Sequence, residues 1–328
     1  MRAAVRTTYG GPDVVRFEEV PDPVAGPGEI VVRVRATTVN RTDCAYRSGR
    51  PWINRVYCGL PRPRVQILGS EFAGVVTDVG EGASSYAIGD RVFGFVDGRP
   101  GAHAEQVVVG VDGLVARVPE RWDLAEAAPG MEKAHYAQAC ARVSGARAGD
   151  RVLVHGATGA IGSALVQLLH SAGVGVTAVA DRLPSQHAGL LGELGADRVV
   201  DLSAGGSLDE LGGGFDAVVA ATGHLSFGAA RGLLRPGGTF ISSELGRAGQ
   251  HLALAAAAPV AGMLGRRRVR FPFPHADAAV AAHLARLMAE GGFRPVIDRT
   301  FAFAELQAAY AYVETGRKVG NVVVVMPE

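Results

Sequence analysis

Three glycines in the middle of the chain are spaced as in a loop that holds a phosphate. They are Gly156, Gly159 and Gly162, in the stretch VLVHGATGAIGSALVQLL. The residues before them have the pattern of a buried strand and those after them the spacing of a helix, so the glycines fall in a strand-to-helix turn. Backbone N–H groups and the positive end of the helix dipole then favour a diphosphate. The alternative is that the glycines only let the helix pack closely on the strand.

The surrounding pattern favours a dinucleotide coenzyme. Two more strand-helix units follow the turn, and Ser163 comes directly after Gly162, so the Lys-Ser/Thr pair that closes a nucleoside-triphosphate loop is absent. The residues predicted to contact the coenzyme at the turn are Gly156, Ala157, Thr158, Gly159, Ala160, Ile161 and Gly162.

The choice between NAD and NADP is expected at the end of the next strand, in TAVADRLPSQ. Ala180 takes the place where a carboxylate would accept the ribose 2′-OH, and Arg182 and Ser185 can bind a 2′-phosphate. This pattern predicts NADPH, with NADH still possible. Asp181 would favour NADH instead if its side chain turned toward the ribose. A third possibility is that Asp181 and Arg182 form an ion pair in solvent and do not contact the coenzyme.

Composition indicates an ordinary globular protein. The residues are 48% hydrophobic and 20% charged, and a chain of 328 residues is expected to form two domains. The formal net charge of +1 gives no reason to expect a nucleic-acid or membrane partner. Three widely spaced cysteines, Cys44, Cys58 and Cys140, argue against a disulfide framework. Charges run through the first twenty residues, which predicts a cytoplasmic protein.

The pattern of elements changes near residue 125. Short strands such as EIVVRVRATTV, which alternates as a half-buried strand does, precede that point, and alternating strands and helices follow it. We therefore predict an α/β protein of two domains. A β-rich catalytic domain is formed by residues 1–124 and 273–328, and a doubly wound, parallel-sheet (Rossmann) coenzyme domain by residues 125–272.

Several further stretches resemble one family. MRAAVRTTYGGPDVVRFEEVPDPVAGPGEIVVRVRATTVNRTD, ILGSEFAGVVTDVG, IGDRVFGF and GRKVGNVVVV are similar to segments of the medium-chain dehydrogenase/reductase superfamily, in its zinc-free quinone oxidoreductase and enoyl reductase branch. The resemblance implies a GroES-like catalytic domain and a homodimer, for which RRRVRF is the expected edge strand.

The resemblance also argues against a catalytic zinc. Where zinc-dependent members have Cys, His and Cys, this chain matches with Asn40, Ser70 and Pro129, which do not form a zinc ligand set. Without a metal, the suitable acceptor is a quinone or the C=C of an α,β-unsaturated carbonyl, since either delocalises the incoming charge. We expect the acceptor and NADPH to share the cleft between the domains.

Three residues are predicted to serve catalysis. By resemblance, Asn40 orients substrate or nicotinamide, and Lys133 stands where relatives carry a threonine near the nicotinamide ring. Lys133 would donate to a developing enolate oxygen, and Tyr136, one helical turn later, would supply a proton. Alternatively, Asn40 is an ordinary turn residue, Lys133 forms an ion pair with Glu132 or Asp43, and Tyr136 only packs against its neighbours.

The remaining predictions concern the rims of the site. Thr222, Ser243 and Asn321 are additional coenzyme-binding candidates, and Trp52 and Tyr57 either line a pocket for a flat apolar substrate or pack on a surface lobe. Two other functions stay open: an alcohol or aldehyde dehydrogenase of the same superfamily, and a low-turnover NADPH-binding sensor or interaction protein.

Overall fold

The computed structural model describes residues 1–96, 98, 100–243 and 267–327. It divides into two compact units. Unit 1 comprises Met1–Glu132, Ala276–Gly291 and Pro295–Glu328, and unit 2 comprises Lys133–His275 and Gly292–Arg294. The boundaries expected from the sequence, after residue 124 and before residue 273, differ from these by eight and three residues, and unit 2 also includes Gly292–Arg294.

Strands and α-helices are numbered separately in chain order. The strands are β1 (Arg2–Val5), β2 (Arg16–Glu19), β3 (Glu29–Val39), β4 (Glu71–Val79), β5 (Arg91–Phe95), β6 (Gln106–Gly110), β7 (Leu114–Arg117), β8 (Arg151–His155), β9 (Gly175–Ala180), β10 (Arg198–Asp201), β11 (Phe215–Ala220), β12 (Leu234–Ser242), β13 (Arg268–Arg270), β14 (Ile297–Ala302) and β15 (Asn321–Val325). The α-helices are α1 (Arg41–Ser48), α2 (Ile53–Cys58), α3 (Leu124–Ala127), α4 (Glu132–Ser144), α5 (Ala160–Ser171), α6 (Leu190–Glu193), α7 (Phe227–Ala230), α8 (Ala278–Glu290) and α9 (Leu306–Glu314).

Unit 1 is built on a seven-stranded sheet. Its strands run in the order β14-β15-β3-β4-β5-β7, and β6 pairs with β3 outside that path. The long strand β3 was expected to be half-buried, but only Arg33 along it is exposed, because β4, β6 and β15 all pair with it. The strand ends at Val39, and the next residue, Asn40, is the N-cap of α1.

Unit 2 contains a parallel six-stranded sheet in the order β10-β9-β8-β11-β12-β13. The chain moves from β8 to β9 and β10 on one side and then returns to β11 beside β8, where it continues in the opposite direction. Parallel sheets bind ligands outside the carboxyl ends of their strands at such a reversal. The glycine turn after β8 therefore lies at the expected place, and the predicted α/β class is confirmed.

Two helical stretches of the chain are interrupted. The alanine-rich stretch around residues 124–144 is divided into α3 and α4 by a 3-10 turn at Ala128–Gly130, because Pro129 cannot continue an α-helix. The stretch PSQHAGLLGELGA forms only a 3-10 turn at Ser185–His187 and the single-turn helix α6, because its glycines disfavour a longer helix.

Two features bear on partners. Of the predicted basic edge strand RRRVRF, Arg268–Arg270 form β13, the last of the described strands in the order of the parallel sheet, and Arg266 lies outside the described residues. Within the described residues, no helix has the length and apolar character needed to cross a membrane.

Candidate functional site

The glycine turn of unit 2 leaves no room for side chains at two of its glycines. Gly156 has a φ of 77°, and a Cβ there would lie 2.5 Å from Cγ2 of Thr222. A Cβ on Gly162 would lie 2.2 Å from the carbonyl oxygen of Gly156. The N–H groups of Gly156 and Ala157 both donate to the carbonyl oxygen of Val179, at 2.8 and 3.0 Å. The turn is thus held against β9 by two backbone hydrogen bonds, and its glycines leave the backbone uncovered by side chains.

The helix that follows the turn begins without a side-chain cap. Gly159 is the extended N-cap of α5, and within the part of the chain that the structure describes no side-chain cap hydrogen bond is made to this twelve-residue helix. The N–H of Ser163 already bonds the carbonyl oxygen of Gly159, at 2.8 Å. A bare glycine surface next to uncapped helix N–H groups fits the diphosphate of a dinucleotide.

Asp181 occupies the position expected for recognition of the adenosine ribose. Strand β9 ends at Ala180, as predicted, and Asp181 follows it. Nδ1 of His224 lies 3.1 Å from Oδ2 of Asp181, and Nε2 of His155 lies 3.3 Å from its Oδ1. Two imidazoles therefore flank this carboxylate, while Arg182 is exposed beside it.

His155 is the buried member of this group. Its side chain is only 4% exposed, against 41% for Asp181 and 62% for His224. Burial lowers the pKa of His155, and the attraction of Asp181 opposes that shift only in part. The hydroxyl of Thr222 lies 3.4 Å from Nδ1 of His155. With that hydroxyl as donor to Nδ1, the neutral ring carries its proton on Nε2, toward Asp181.

The other predicted coenzyme residues lie at different places. Ser185 is exposed at the start of its 3-10 turn. Ser243 follows β12 in unit 2, and its hydroxyl donates to the carbonyl oxygen of Ala220 at 3.4 Å. Asn321 belongs to unit 1, where its side-chain amide donates to the carbonyl oxygen of Val296 at 3.0 Å. Their roles in coenzyme binding stay predictions.

Unit 1 contains a buried polar network, which we call the Glu132 cluster. Its members lie at the ends of β3 and β4 and at the start of α4, and each side chain is at most 9% exposed. They are Thr38, Asn40, Asp43, Ser70, Glu71 and Glu132. Three of the six are carboxylates, so their hydrogen bonds decide whether the cluster can exist in a protein interior.

Asn40 and Ser70 converge on one oxygen of Glu132. The Asn40 amide donates to Oε2 of Glu132 at 2.9 Å and to the Ser70 hydroxyl at 3.3 Å. That hydroxyl donates to the same Oε2 at 3.0 Å. Oδ1 of Asn40 accepts from the N–H of Asp43, at 3.0 Å, in a capping box at the start of α1. The Asn40 amide nitrogen, the Ser70 hydroxyl and Oε2 of Glu132 thereby form a closed triangle of hydrogen-bond contacts within unit 1.

The other two carboxylates fasten the cluster to the backbone. Asp43 accepts from the N–H of Asn40 at 3.0 Å and from the N–H of Gly69 at 3.2 Å. Glu71 accepts from the N–H of Glu132 at 2.8 Å and from the Thr38 hydroxyl at 2.9 Å. The cluster therefore positions the first residue of α4 against the ends of β3 and β4.

The donor groups do not fit a catalytic zinc. At the positions that match zinc ligands by resemblance, Asn40 directs its amide hydrogens into the cluster, Ser70 donates its proton to Glu132, and Pro129 has no ligating side chain. Zinc takes thiolate, imidazole or carboxylate ligands, and the three carboxylates of the cluster, Asp43, Glu71 and Glu132, already accept hydrogen bonds from N–H and hydroxyl groups of the cluster and its backbone. Among the described residues, no group of three or more His, Cys, Asp or Glu side chains is arranged to hold a metal ion.

Lys133 and Tyr136 lie on α4 in unit 2, whereas Asn40 lies in unit 1. Lys133 is buried, with 9% exposure, in the first turn of the helix, and Tyr136 is half-buried. Between them, Nε2 of His135 lies 2.9 Å from the carbonyl oxygen of His275. The catalytic roles of Lys133 and Tyr136 stay predictions.

The aromatic residues of the proline-rich stretch are exposed. Trp52 is 70% exposed and Tyr57 is 55% exposed, on and beside the short helix α2. The Tyr57 ring stacks on Tyr46 with centroids 5.4 Å apart, and its hydroxyl donates to the carbonyl oxygen of Gly98 at 3.3 Å. Both side chains lie on the surface of unit 1, and a role in lining a substrate pocket stays a prediction.

Sequence reasoning missed two groups. Glu132 was considered only as an ion-pair partner of Lys133, although it is the acceptor on which Asn40 and Ser70 converge. His155 and His224 were not singled out. The position of His155 directly before Gly156 was an available signal, since a polar residue at the end of a buried strand faces the ligand edge of the sheet.

Comparisons with known proteins agree with this architecture. The family model described as alcohol dehydrogenase GroES-like domain matches residues 26–120, and the model described as zinc-binding dehydrogenase matches residues 194–324. The quinone oxidoreductase of Pseudomonas aeruginosa is 30% identical over 96% of this chain and 96% of its own length. A mycobacterial protein solved in complex with NADPH is 27% identical, with a TM-score of 0.78 over 99% of each chain.

Other relatives are much longer proteins. The spectinabilin polyketide synthase system protein NorB of Streptomyces orinoci is 34% identical over 92% of this chain, which covers 13% of that protein. The chain spans 8%, 7% and 5% of three further synthases from Streptomyces, Mycobacterium and Saccharopolyspora.

Proposed function

We propose that this chain, which belongs to the quinone oxidoreductase and enoyl reductase branch of the medium-chain dehydrogenase/reductase superfamily, is a zinc-independent NAD(P)H-dependent oxidoreductase. It uses NADPH to reduce a quinone or the C=C of an α,β-unsaturated carbonyl. The observation that carries the proposal is the Glu132 cluster. At two of the positions that match zinc ligands by resemblance it has an amide, of Asn40, and a hydroxyl, of Ser70, both donating to Glu132, while unit 2 keeps a glycine turn suited to a dinucleotide.

The nicotinamide coenzyme, when bound, supplies the hydride. The chain's own residues hold its diphosphate through the bare turn at Gly156–Gly162 and the uncapped start of α5, with Thr222 packed against Gly156. Ser243 and Asn321 remain candidates for contacts to the rest of the coenzyme. The mycobacterial relative solved with NADPH supports this assignment.

A conjugated acceptor suits a site without a metal. When the β-carbon of an enone accepts a hydride, negative charge appears on the carbonyl oxygen, several bonds away, and a quinone delocalises it in the same way. The protein then has to stabilise that oxygen and return one proton to the α-carbon, or to oxygen for a quinone. When a simple aldehyde or ketone accepts a hydride at its carbonyl carbon, in contrast, the negative charge develops on the oxygen bonded to that same carbon. A Lewis acid bound to this oxygen stabilises the charge most directly.

Lys133 is the group proposed to stabilise the developing oxyanion. A buried ammonium in a medium of low polarity interacts with such a charge more strongly than it would in water. Tyr136, one turn later on the same helix, is the proposed proton donor, with water as the alternative source. The name of the Pseudomonas relative and the enoyl reductase branch support this chemistry without identifying the acceptor.

Asn40 acts through Glu132 in this proposal. Its amide donates to Glu132 and Ser70, so it serves as a positioning residue that fixes Glu132, the residue directly before Lys133. A direct contact of Asn40 with substrate or nicotinamide, as expected from the sequence, stays a prediction.

The preference for NADPH rests on the charges beside Asp181. Arg182 is exposed next to it and can pair with a 2′-phosphate, while the imidazoles of His155 and His224 contact the Asp181 carboxylate itself. We also propose a cytoplasmic homodimer. Three buried free thiols support a reducing compartment, and the outermost strand β13 is the expected contact with a second copy.

Steady-state oxidation of NADPH and NADH with quinones, enones and aldehydes tests the proposal. The protein is first dialysed against a chelator, and its metal content is measured. Turnover of quinones or enones by the metal-free protein, with NADPH preferred, is the expected result. Turnover of aldehydes or alcohols alone, restored by added zinc, would assign it to alcohol dehydrogenation. Coenzyme binding without turnover of any acceptor would favour a sensor instead.

A further inference from the structure

Exposed apolar side chains are concentrated between β3 and β4, around the short helix α2. We call residues 50–64 the α2 lobe. Among the described residues, nine large hydrophobic side chains are exposed, and five of them belong to this lobe, each more than half exposed: Trp52, Ile53, Val56, Tyr57 and Leu60. Single exposed hydrophobic residues need no explanation, but a cluster of them marks an interaction surface.

The apolar side chains share one face of α2. Ile53, Val56 and Tyr57 have the i, i+3, i+4 spacing that places side chains on the same side of a helix. Cys58, which ends the helix, is only 1% exposed. An ordinary surface helix turns its apolar face to the core, whereas α2 turns these side chains to solvent.

Hydrogen bonds hold the α2 lobe in this orientation. The N–H of Arg64 donates to the carbonyl oxygen of Cys58 at 2.7 Å. The Tyr9 hydroxyl donates to the carbonyl oxygen of Gly59 at 2.6 Å. The backbone that carries the apolar side chains is therefore fixed to unit 1 while the side chains themselves stay exposed.

The lobe and its flanks are strongly basic. Residues 44–70 include five arginines and no lysine or acidic residue. Two of the five turn toward the unit: Arg47 pairs with Glu314 in the interior, and Arg55 is half-buried. The other three are exposed: Arg50, Arg62 and Arg64. The net charge of +1 conceals this local excess, because acidic residues elsewhere in the chain balance it.

The exposed arginines lie beside the apolar face. The Asn54 side-chain amide donates to the carbonyl oxygen of Arg50 at 3.0 Å, at the start of α2. At its end, a Cβ on Gly59 would lie 2.7 Å from the carbonyl oxygen of Arg62 and 2.9 Å from Cγ of Arg64. Positive charge thus flanks α2 at both of its ends.

We propose that the α2 lobe docks the protein on the surface of a bilayer that contains anionic lipids. Its apolar side chains enter the boundary between headgroups and acyl chains, where tryptophan and tyrosine are favoured. Its exposed arginines pair with lipid phosphates, to which a guanidinium can donate two hydrogen bonds. This attachment is peripheral. It revises the expectation drawn from the net charge, because the charge that faces the lipid is local.

The charges favour a bilayer over a second copy of the chain. Two copies of the lobe placed face to face would bring their exposed arginines together, and these would repel each other. An acidic protein would complement the arginines, but it would also have to offer an apolar surface that covers five side chains. A bilayer with anionic lipids offers both features side by side.

Sedimentation with vesicles and tryptophan fluorescence together test this inference. The whole protein is mixed with vesicles of phosphatidylcholine alone, or with about one quarter phosphatidylglycerol. Trp122→Phe leaves Trp52 as the one tryptophan, so its quenching by phosphatidylcholine brominated in the acyl chains reports insertion. No coenzyme or acceptor is added, so the result does not depend on the proposed function.

The parent protein should bind the anionic vesicles at least about tenfold more tightly than the neutral ones, less tightly as salt is added, and with Trp52 quenched. Val56→Asp, and the pair Arg50→Ser with Arg62→Ser, should each weaken binding by about tenfold or more.

Matched controls remove the same kinds of side chain outside the lobe. Ile88→Asp replaces a side chain that is 70% exposed, and Arg231→Ser replaces an exposed arginine after α7. Both should bind the anionic vesicles as the parent does. Trp52 and Tyr57 are left unchanged, because they are also candidates for lining a substrate pocket. Urea unfolding of each variant confirms that it is folded.

Two results would overturn the inference. One is vesicle binding that neither lobe variant weakens, or that leaves Trp52 unquenched. The other is no binding of the parent to anionic vesicles. In that case sedimentation velocity identifies the occupant: self-association of the parent that is lost in Val56→Asp assigns the lobe to a second copy, and its absence leaves an acidic protein as the partner.

Discussion

The side-chain amide of Asn40 donates a 2.9 Å hydrogen bond to Oε2 of Glu132, a residue 92 positions further along the chain. The same oxygen accepts a hydrogen bond from the Ser70 hydroxyl, so two neutral donors hold one buried carboxylate. Asn40 also caps α1 through its other side-chain atom. One residue thus combines a local structural role with the positioning of a distant charge, and substitution can separate the two.

Asn40→Ser should retain the cap and lose the contact with Glu132. Serine is a good N-cap residue but has no amide to reach the carboxylate, whereas alanine loses both functions. We expect both variants to lower kcat by about tenfold or more through misplacement of the start of α4. Asn40→Ala should also lose about 1 kcal/mol more unfolding free energy than Asn40→Ser. Denaturant unfolding and steady-state kinetics measure the two effects, and an unchanged kcat in Asn40→Ser would refute the positioning role.

Gly162→Ala should weaken coenzyme binding. The new Cβ would lie 2.2 Å from the Gly156 carbonyl oxygen, so the turn must shift away from its position against β9. We expect the dissociation constant for NADPH to rise by about tenfold or more, with a stability loss of about 1–3 kcal/mol. Gly192→Ala is the matched control: its Cβ meets nothing within 4 Å, so it should bind NADPH normally and unfold at the same or higher denaturant concentration. Equal binding by both variants would exclude the turn as the diphosphate site.

Lys133→Met should lower kcat with little change in the dissociation constant for NADPH. Methionine fills a similar buried volume but removes the positive charge proposed to face the developing oxyanion. We expect a decrease of about 100-fold, and a smaller decrease for Lys133→Arg, which keeps the charge. Single-turnover kinetics separate the chemical step from binding. A kcat within twofold of the parent would return Lys133 to a structural role.

Arg182→Ala should raise the KM for NADPH far more than the KM for NADH. The guanidinium is exposed beside Asp181, where it can pair with the 2′-phosphate, and NADH has no group for it to pair with. We expect about a tenfold difference between the two changes, which falls as salt is added. Arg231→Ala removes an exposed arginine just after α7 and should alter neither KM. Equal effects of Arg182→Ala on both coenzymes would contradict its assignment.

His103 should make unit 1 less stable in acid. Complete burial lowers its pKa to about 4, while Nε2 faces the carbonyl oxygen of Thr38 at 2.9 Å and Nδ1 faces the Tyr310 hydroxyl at 3.1 Å. The unfolded chain binds a proton near pH 6.5 and the folded protein only near pH 4, so stability falls as the pH decreases through that window. The slope from this residue is at most about 1.4 kcal/mol per pH unit.

His103→Gln removes the titrating ring and retains a side chain able to hydrogen-bond. The variant should be less stable than the parent at neutral pH and should show a shallower decrease toward acid. Urea unfolding across that pH range provides the comparison. Parallel curves for the two proteins would show that His103 does not contribute to the acid sensitivity.

The coenzyme turn could be predicted because it is continuous in the chain. β8, the glycines and α5 follow one another, so local pattern predicted the strand-to-helix turn that contains Gly156 and Gly159, while Gly162 lies in the first turn of α5. The Glu132 cluster could not be found in this way. It requires the pairing of β3 with β4 and the 3-10 turn at Pro129, which together place the start of α4 beside Asn40 and Ser70. Such contacts depend on tertiary packing, which a single sequence does not reveal.

The position of a label after turnover tests the central claim most directly. Metal-stripped protein is given an α,β-unsaturated ketone with NADPH deuterated at C4, using the 4R and 4S forms in separate reactions. The account predicts a saturated ketone with one deuterium on the β-carbon from one of the two forms. Deuterium on the carbonyl carbon of an allylic alcohol, produced only after zinc is restored, would contradict a zinc-independent conjugate reduction.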